Sequence, residues 1–105
     1  MKQKTFSLKN KNGMKMEVSN LGGSVTELMV PDRDGNLGDV LLSCADIADN
    51  YANGYMSALI GRVCGRIGKG KFKLDGTTYE VPLNSEKDGV KCALHGGNVG
   101  FDRKI

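Results

Sequence analysis

The chain's one histidine, His95, stands in the run Leu94-His95-Gly96-Gly97. Glycine on its C-terminal side lets the backbone turn tightly and lets a ligand come close. Imidazole is the side chain best suited to exchange protons near neutral pH. Upstream, Arg62 and Arg66 lie four residues apart among glycines. A guanidinium presents a rigid fork of donors that fits vicinal hydroxyls or a carboxylate. On the residues alone, a single loop histidine is more often ordinary surface than a site. The arginine pair fits surface charge pairing as well as it fits ligand binding.

Other chemistries fare worse. Gly65–Lys71 reads GRIGKGK and matches the phosphate-loop spacing, but Phe72 stands where a magnesium-holding Ser or Thr is required. That motif must also open a helix, and a β-hairpin is expected there instead. Arg62, Arg66, Lys69, Lys71 and Lys73 alternate with apolar residues, as the solvent face of a sheet does. No second exposed aromatic offers a platform for stacking bases, so no nucleic acid partner is expected. Cys44, Cys64 and Cys92 are odd in number and widely spaced. They fit neither a zinc site nor a disulfide framework, and no metal is expected. Reduced thiols in a cytoplasm are the reading they favour.

The elements that must position these residues read as strands. Lys71–Leu74 and Thr77–Val81 flank Asp75-Gly76, a pair suited to a type I′ turn. That register sets Leu74 against Thr77, Phe72 against Tyr79 and Gly70 against Val81, with Lys71–Glu80 and Lys73–Thr78 on the other face. One face is apolar and the other charged, as a half-buried sheet requires. Nearer the N-terminus, a two-residue turn at Asn12-Gly13 would scatter the apolar residues. A three-residue loop, Lys11-Asn12-Gly13, sets Leu8 against Met16 and Phe6 against Val18, with Gly13 in the left-handed position. Ser24–Val30 reads as a strand ended by Pro31, followed by a turn over Asp32–Asn36. Asp39–Leu42 reads as a short strand, Asp46–Tyr51 as a helical turn capped by Asp46, and Met56–Ile60 as a buried strand. Gly100–Ile105 reads as the approach to a further strand. A sheet stopped there leaves an open edge and an uncovered apolar face, so the chain reads as truncated and open to self-association.

Composition agrees with one all-β domain over residues 1–105. The chain has 15 glycines, no Trp and a net charge of +3 with both signs mixed. Short apolar runs among many glycines favour sheets over helices. The N-terminal MKQKTFSLKNKNG lacks the apolar stretch of a signal peptide, and no run is long enough to span a bilayer. No membrane association is expected.

Taken together, GRVCGRIGKGKFKLDGTTYEVPLN and LHGGNVGFDRK resemble the N-terminal third of the aldose 1-epimerases, or galactose mutarotases. The family pattern runs Gly-Arg, Asn-Arg-Ile, Gly-x-Phe-x-Leu-Asp-Gly-x-x-Tyr, an Asn, then Leu-His-Gly-Gly-x-x-Gly-Phe-Asp. Asn20-Leu21-Gly22-Gly23, before a strand ending in Pro31-Asp32, is similar to the family's opening. The likeness covers nearly the whole chain.

That resemblance implies part of a large antiparallel β-sandwich, the galactose mutarotase-like supersandwich. It implies an enzyme that interconverts the α and β anomers of free hexoses, needing no metal or organic cofactor. Ring opening needs a base at the C1 hydroxyl and an acid at the ring oxygen, and both groups then reverse roles. Arg66 matches the family arginine that hydrogen-bonds the sugar. His95 matches the first family histidine, a supporting catalytic group that contacts the sugar near its ring oxygen. Gly65 stands where the family has asparagine, which puts one substrate contact in doubt. The family's main acid is a second histidine and its base a glutamate, both beyond the matched third. The chain alone is therefore expected to hold half a site, inactive or nearly so. Ser85–Ala93 reads as a longer loop than the family's usual link, at little entropic cost. A non-catalytic sugar-binding module and a hexose-phosphate mutarotase are the competing readings.

Overall fold

The computed structural model describes residues 2–46 and 54–105. These form nine strands and two short 3₁₀ turns. Two compact units divide the chain: one runs through Leu59 and takes in Asp102–Ile105, the other is Ile60–Phe101.

The first unit holds an antiparallel sheet in the order β1-β2-β3-β4, with strands Thr5–Lys9, Lys15–Ser19, Val25–Pro31 and Leu37–Asp39. The first hairpin takes the three-residue loop expected from the apolar pattern, pairing Leu8 with Met16 and Phe6 with Val18. Gly13 sits at φ 88°, the left-handed backbone that such a loop demands and glycine supplies without cost. Between β2 and β3 the register shifts after Glu17, which faces Glu27. Like charges opposed across a ladder repel; here the Lys15 ammonium lies 2.7 Å from Glu17 and 3.2 Å from Glu27.

Three expectations in this unit are corrected. The third strand is Val25–Pro31, not Ser24–Val30, and Pro31 does not end it but stands opposite Leu37 as its last residue. The fourth strand is Leu37–Asp39, not Asp39–Leu42. The Asp39 carboxylate accepts the N–H groups of Leu28 and Leu41, so its own side chain turns the backbone out of the ladder. Met56–Ile60 is not a strand. Ser57 lies at φ 51°, a turn conformation that breaks extended backbone. The segment is tied instead by the Val25 N–H donating to Ser57 C=O and the Leu59 N–H donating to Gly22 C=O. The Gly22 N–H donates in turn to Lys104 C=O at 2.7 Å. The proposed helical turn over Asp46–Tyr51 falls largely outside the described residues.

In the second unit, β5 (Arg66–Gly68), β9 (Val90–Leu94) and β8 (Ser85–Lys87) form a three-stranded antiparallel sheet with β9 in the middle. Its buried apolar residues, Cys92 and Ala93, lie on that central strand. β6 (Lys71–Leu74) and β7 (Thr77–Glu80) make a separate hairpin in the register expected, with Phe72 opposite Tyr79 and Lys71 opposite Glu80. Asp75 and Gly76 both have positive φ, as a type I′ turn requires. Its apolar face is not covered as a core face would be: Phe72, Leu74 and Tyr79 are 41%, 56% and 46% exposed. β6 and β7 pair only with each other.

Ser85–Ala93 is a hairpin, not a loop. Asp88-Gly89 repeats the Asp-Gly signal, again with positive φ at both residues. Phe101–Arg103 forms a 3₁₀ turn where the start of a strand was expected.

Candidate functional site

The site is built where β5 begins and β9 ends. Their register sets Arg66 opposite Leu94, Ile67 opposite Ala93 and Gly68 opposite Cys92. One step beyond the ladder, Gly65 and His95 face each other and both leave the extended conformation, at φ 84° and 52°. Histidine is among the few side chains enriched in that region. A non-glycine residue held there costs on the order of 1–3 kcal/mol and persists only where its surroundings fix it.

Two hydrogen bonds fix it. The His95 N–H donates to Gly65 C=O at 3.0 Å, and the Gly65 N–H donates into His95 Nδ1 at 3.1 Å. A ring nitrogen that accepts carries no proton, so the neutral imidazole holds its hydrogen on Nε2. The ring is thereby set as a donor through Nε2.

The turn after His95 is held by close backbone approach. A Cβ on Gly96, at φ 91°, would collide with the carbonyl oxygen of Gly61. A Cβ on Gly61 would strike the ring of Phe101, whose own N–H donates to Gly61 C=O at 3.2 Å. Above that ring lies the Arg62 guanidinium, 5.5 Å from its centroid. Gly96 is thus required by contact and by conformation, and Gly61 by contact.

The structure brings Gly65 and His95 into direct contact and sets exposed Arg66 one residue further along β5. Arg62 lies over Phe101 instead, so the two arginines, four apart in sequence, have different settings. Asn84, which fills the place of the Asn in the family pattern but carries no role from it, braces the end of β9. The Leu94 N–H donates to its Oδ1 at 2.6 Å and its Nδ2 donates to Leu94 C=O at 3.0 Å. The signal for it in the sequence is that Asn between Tyr79 and Leu94.

Elsewhere, an open depression in the first unit of about 370 Å³ is lined in part by Glu17 and Glu27, carboxylates already engaged by Lys15. Among the described residues, no three His, Cys, Asp or Glu side chains gather as metal ligands. No helix among them is long and apolar enough to cross a membrane.

Residues 4–104 match the family model described as Aldose 1-epimerase. The chain belongs to that family. Among aldose 1-epimerase relatives, rat and human galactose mutarotases are 38% and 39% identical over 94 residues, which is 88% of this chain and 26% of each relative. An aldose 1-epimerase from Streptococcus thermophilus is 36% identical over 91% of this chain and 27% of its own length. The chain therefore spans about a quarter of these relatives. Solved structures share its fold. An aldose epimerase homologue from C. elegans superposes with a TM-score of 0.82 at 24% identity, over 98% of this chain and 31% of that one. A galactose 1-epimerase from Lactobacillus acidophilus gives 0.73 at 23% identity, over 100% and 33%. The fold is all-β and of the galactose mutarotase type.

Proposed function

We propose that this chain supplies the sugar-orienting part of an aldose 1-epimerase site that acts on the α and β anomers of free hexoses such as glucose and galactose. The observation that carries the reading is the Gly65–His95 pair, which presents the imidazole as an Nε2–H donor. Such a donor suits the ring oxygen of a pyranose, where negative charge grows as the C1–O5 bond breaks. Arg66 offers its guanidinium fork to adjacent hydroxyls. Gly65 sets the ring through its backbone and leaves the space of the family's asparagine side chain open.

The full reaction needs more. A base removes the C1 hydroxyl proton while an acid protonates O5, giving the open aldehyde. Rotation about C1–C2 and reversal of both transfers close the ring in the other anomer. The family's acid is a second histidine and its base a glutamate, and this chain holds one histidine. By itself it is expected to bind sugar and to turn it over hardly at all, because losing such a pair costs orders of magnitude in rate. Three widely spaced cysteines, Cys44, Cys64 and Cys92, fit a reducing cytoplasm better than a disulfide framework.

Calorimetric titration with galactose and glucose, beside polarimetry of freshly dissolved α anomers, tests this reading. The expected result is weak hexose binding that His95→Ala lowers about tenfold, the worth of one good hydrogen bond, with no acceleration of mutarotation. A folded chain that binds neither sugar would overturn the proposal. Acceleration that His95→Ala abolishes would overturn the half-site reading.

A further inference from the structure

Asn84 makes no contact that the proposed reaction calls for, yet it is the most fully engaged polar side chain near His95. Its amide forms both bonds with one residue, accepting from Leu94 N–H at 2.6 Å and donating to Leu94 C=O at 3.0 Å. Its own N–H donates to Cys92 C=O at 3.1 Å. Ladder logic explains why. β8 pairs with β9 only from Ser85–Cys92 to Lys87–Val90, so Leu94 lies beyond the last residue that β8 reaches. On the other side Leu94 stands opposite Arg66, while the neighbouring bonds to β5 run through His95. The half-buried Leu94 peptide groups would thus face no strand on the β8 side. The Asn84 amide, one donor and one acceptor in a plane, takes the place of the missing strand residue.

We infer that Asn84 is a positioning residue for His95. By holding the Leu94 peptide in plane with the sheet, it sets the backbone from which His95 departs at φ 52°. That departure keeps Nδ1 within 3.1 Å of the Gly65 N–H and so selects the Nε2–H tautomer. The consequence for sugar binding rests on the function proposed above; the consequence for the imidazole does not.

The test is nitrogen NMR of the chain labelled in histidine, above the pH range where imidazole titrates. The unsubstituted chain is expected to show one fixed tautomer, with Nδ1 bare and Nε2 protonated. Asn84→Ala should yield a tautomer mixture while the amide signals of the Asp75-Gly76 hairpin stay in place. Should Asn84→Ala not fold, Asn84→Asp carries the same readout. It keeps the shape and the acceptor but sets a carboxylate oxygen against Leu94 C=O. An unchanged imidazole spectrum in a folded variant of either kind would overturn the inference. Hexose titration separates the two claims. If both hold, Asn84→Ala lowers affinity about as far as His95→Ala. A wild-type chain with the fixed tautomer and no hexose binding would sink the sugar reading and leave the positioning role standing.

Discussion

Gly65 and His95 exchange two hydrogen bonds, backbone to backbone at 3.0 Å and from the Gly65 N–H into the imidazole at 3.1 Å. The glycine is thus tied to the histidine through its backbone alone. Its φ of 84° also makes sense of the departure from the family, since asparagine is the side chain that best tolerates such backbone.

Gly65→Ala should therefore destabilise by about 1–2 kcal/mol, the penalty of left-handed backbone for an ordinary residue. Gly65→Asn should cost distinctly less. Open space surrounds the position, with nothing within 4 Å of a Cβ, so crowding does not enter. Urea midpoints of the two variants decide the matter, and equal losses would remove backbone conformation as the cause.

Gly96 and Gly97 are adjacent and both have positive φ, 91° and 82°, yet they should respond differently to alanine. At Gly97 a methyl meets nothing within 4 Å; at Gly96 it meets the Gly61 carbonyl. Gly97→Ala should cost about 1–2 kcal/mol from conformation alone. Gly96→Ala adds a backbone collision and should lose the His95 turn. Thermal unfolding, read beside the His95 imidazole signals, would show the split.

The loop Asp32–Asn36 should open in acid. The Asn36 N–H, then the Asp34 N–H, bond the Asp32 carboxylate and hold its pKa below the ordinary 3.8. A lowered folded pKa means the stabilisation is present above 3.8 and is lost as pH falls through the folded value. Amide exchange at Asp34 and Asn36 should accelerate only in that acidic window. Asp32→Asn should flatten the dependence. A loop equally protected at all pH values would refute the assignment.

On the β6–β7 hairpin, ring stacking should outweigh the ion pair. Phe72 and Tyr79 stack with centroids 5.3 Å apart, an arrangement worth about 0.5–1.5 kcal/mol. Lys71 and Glu80 meet at 2.7 Å but are 56% and 65% exposed, where such pairs contribute about 0–1 kcal/mol. Phe72→Ala should then cost more than Lys71→Ala. Amide exchange across the hairpin, with and without added salt, gives the comparison.

Local chemistry made much of this structure legible. The Asp75-Gly76 turn and the apolar alternation around it specified that hairpin's turn and register, and Gly13 did the same for the first. The identical Asp88-Gly89 signal carries no hairpin pattern with it, because Glu86, Lys87 and Lys91 show no apolar alternation. What side chains do to the backbone was harder to see. Asp39 ends a strand by accepting Leu28 and Leu41 N–H groups, and Ser57 turns where its apolar neighbours suggested extension. In the site, the motif pointed to His95, Arg66 and Gly65. The bond that fixes the imidazole and the amide bracket of Asn84 depend on a register between β5, β8 and β9 that no local pattern encodes.

The bonds at Gly22 have a bearing on how this chain could be re-engineered. Its carbonyl takes the Leu59 N–H and its N–H reaches Lys104 C=O, so both flanks of Ile60–Phe101 are stitched to one residue. Topologically, that stretch is a detour that departs and returns at a single seam. Gly22 lies against the backbone of both Leu59 and Asp102, so a short flexible bridge between those two residues is expected to leave the strand pairings from Thr5 to Asp39 in place.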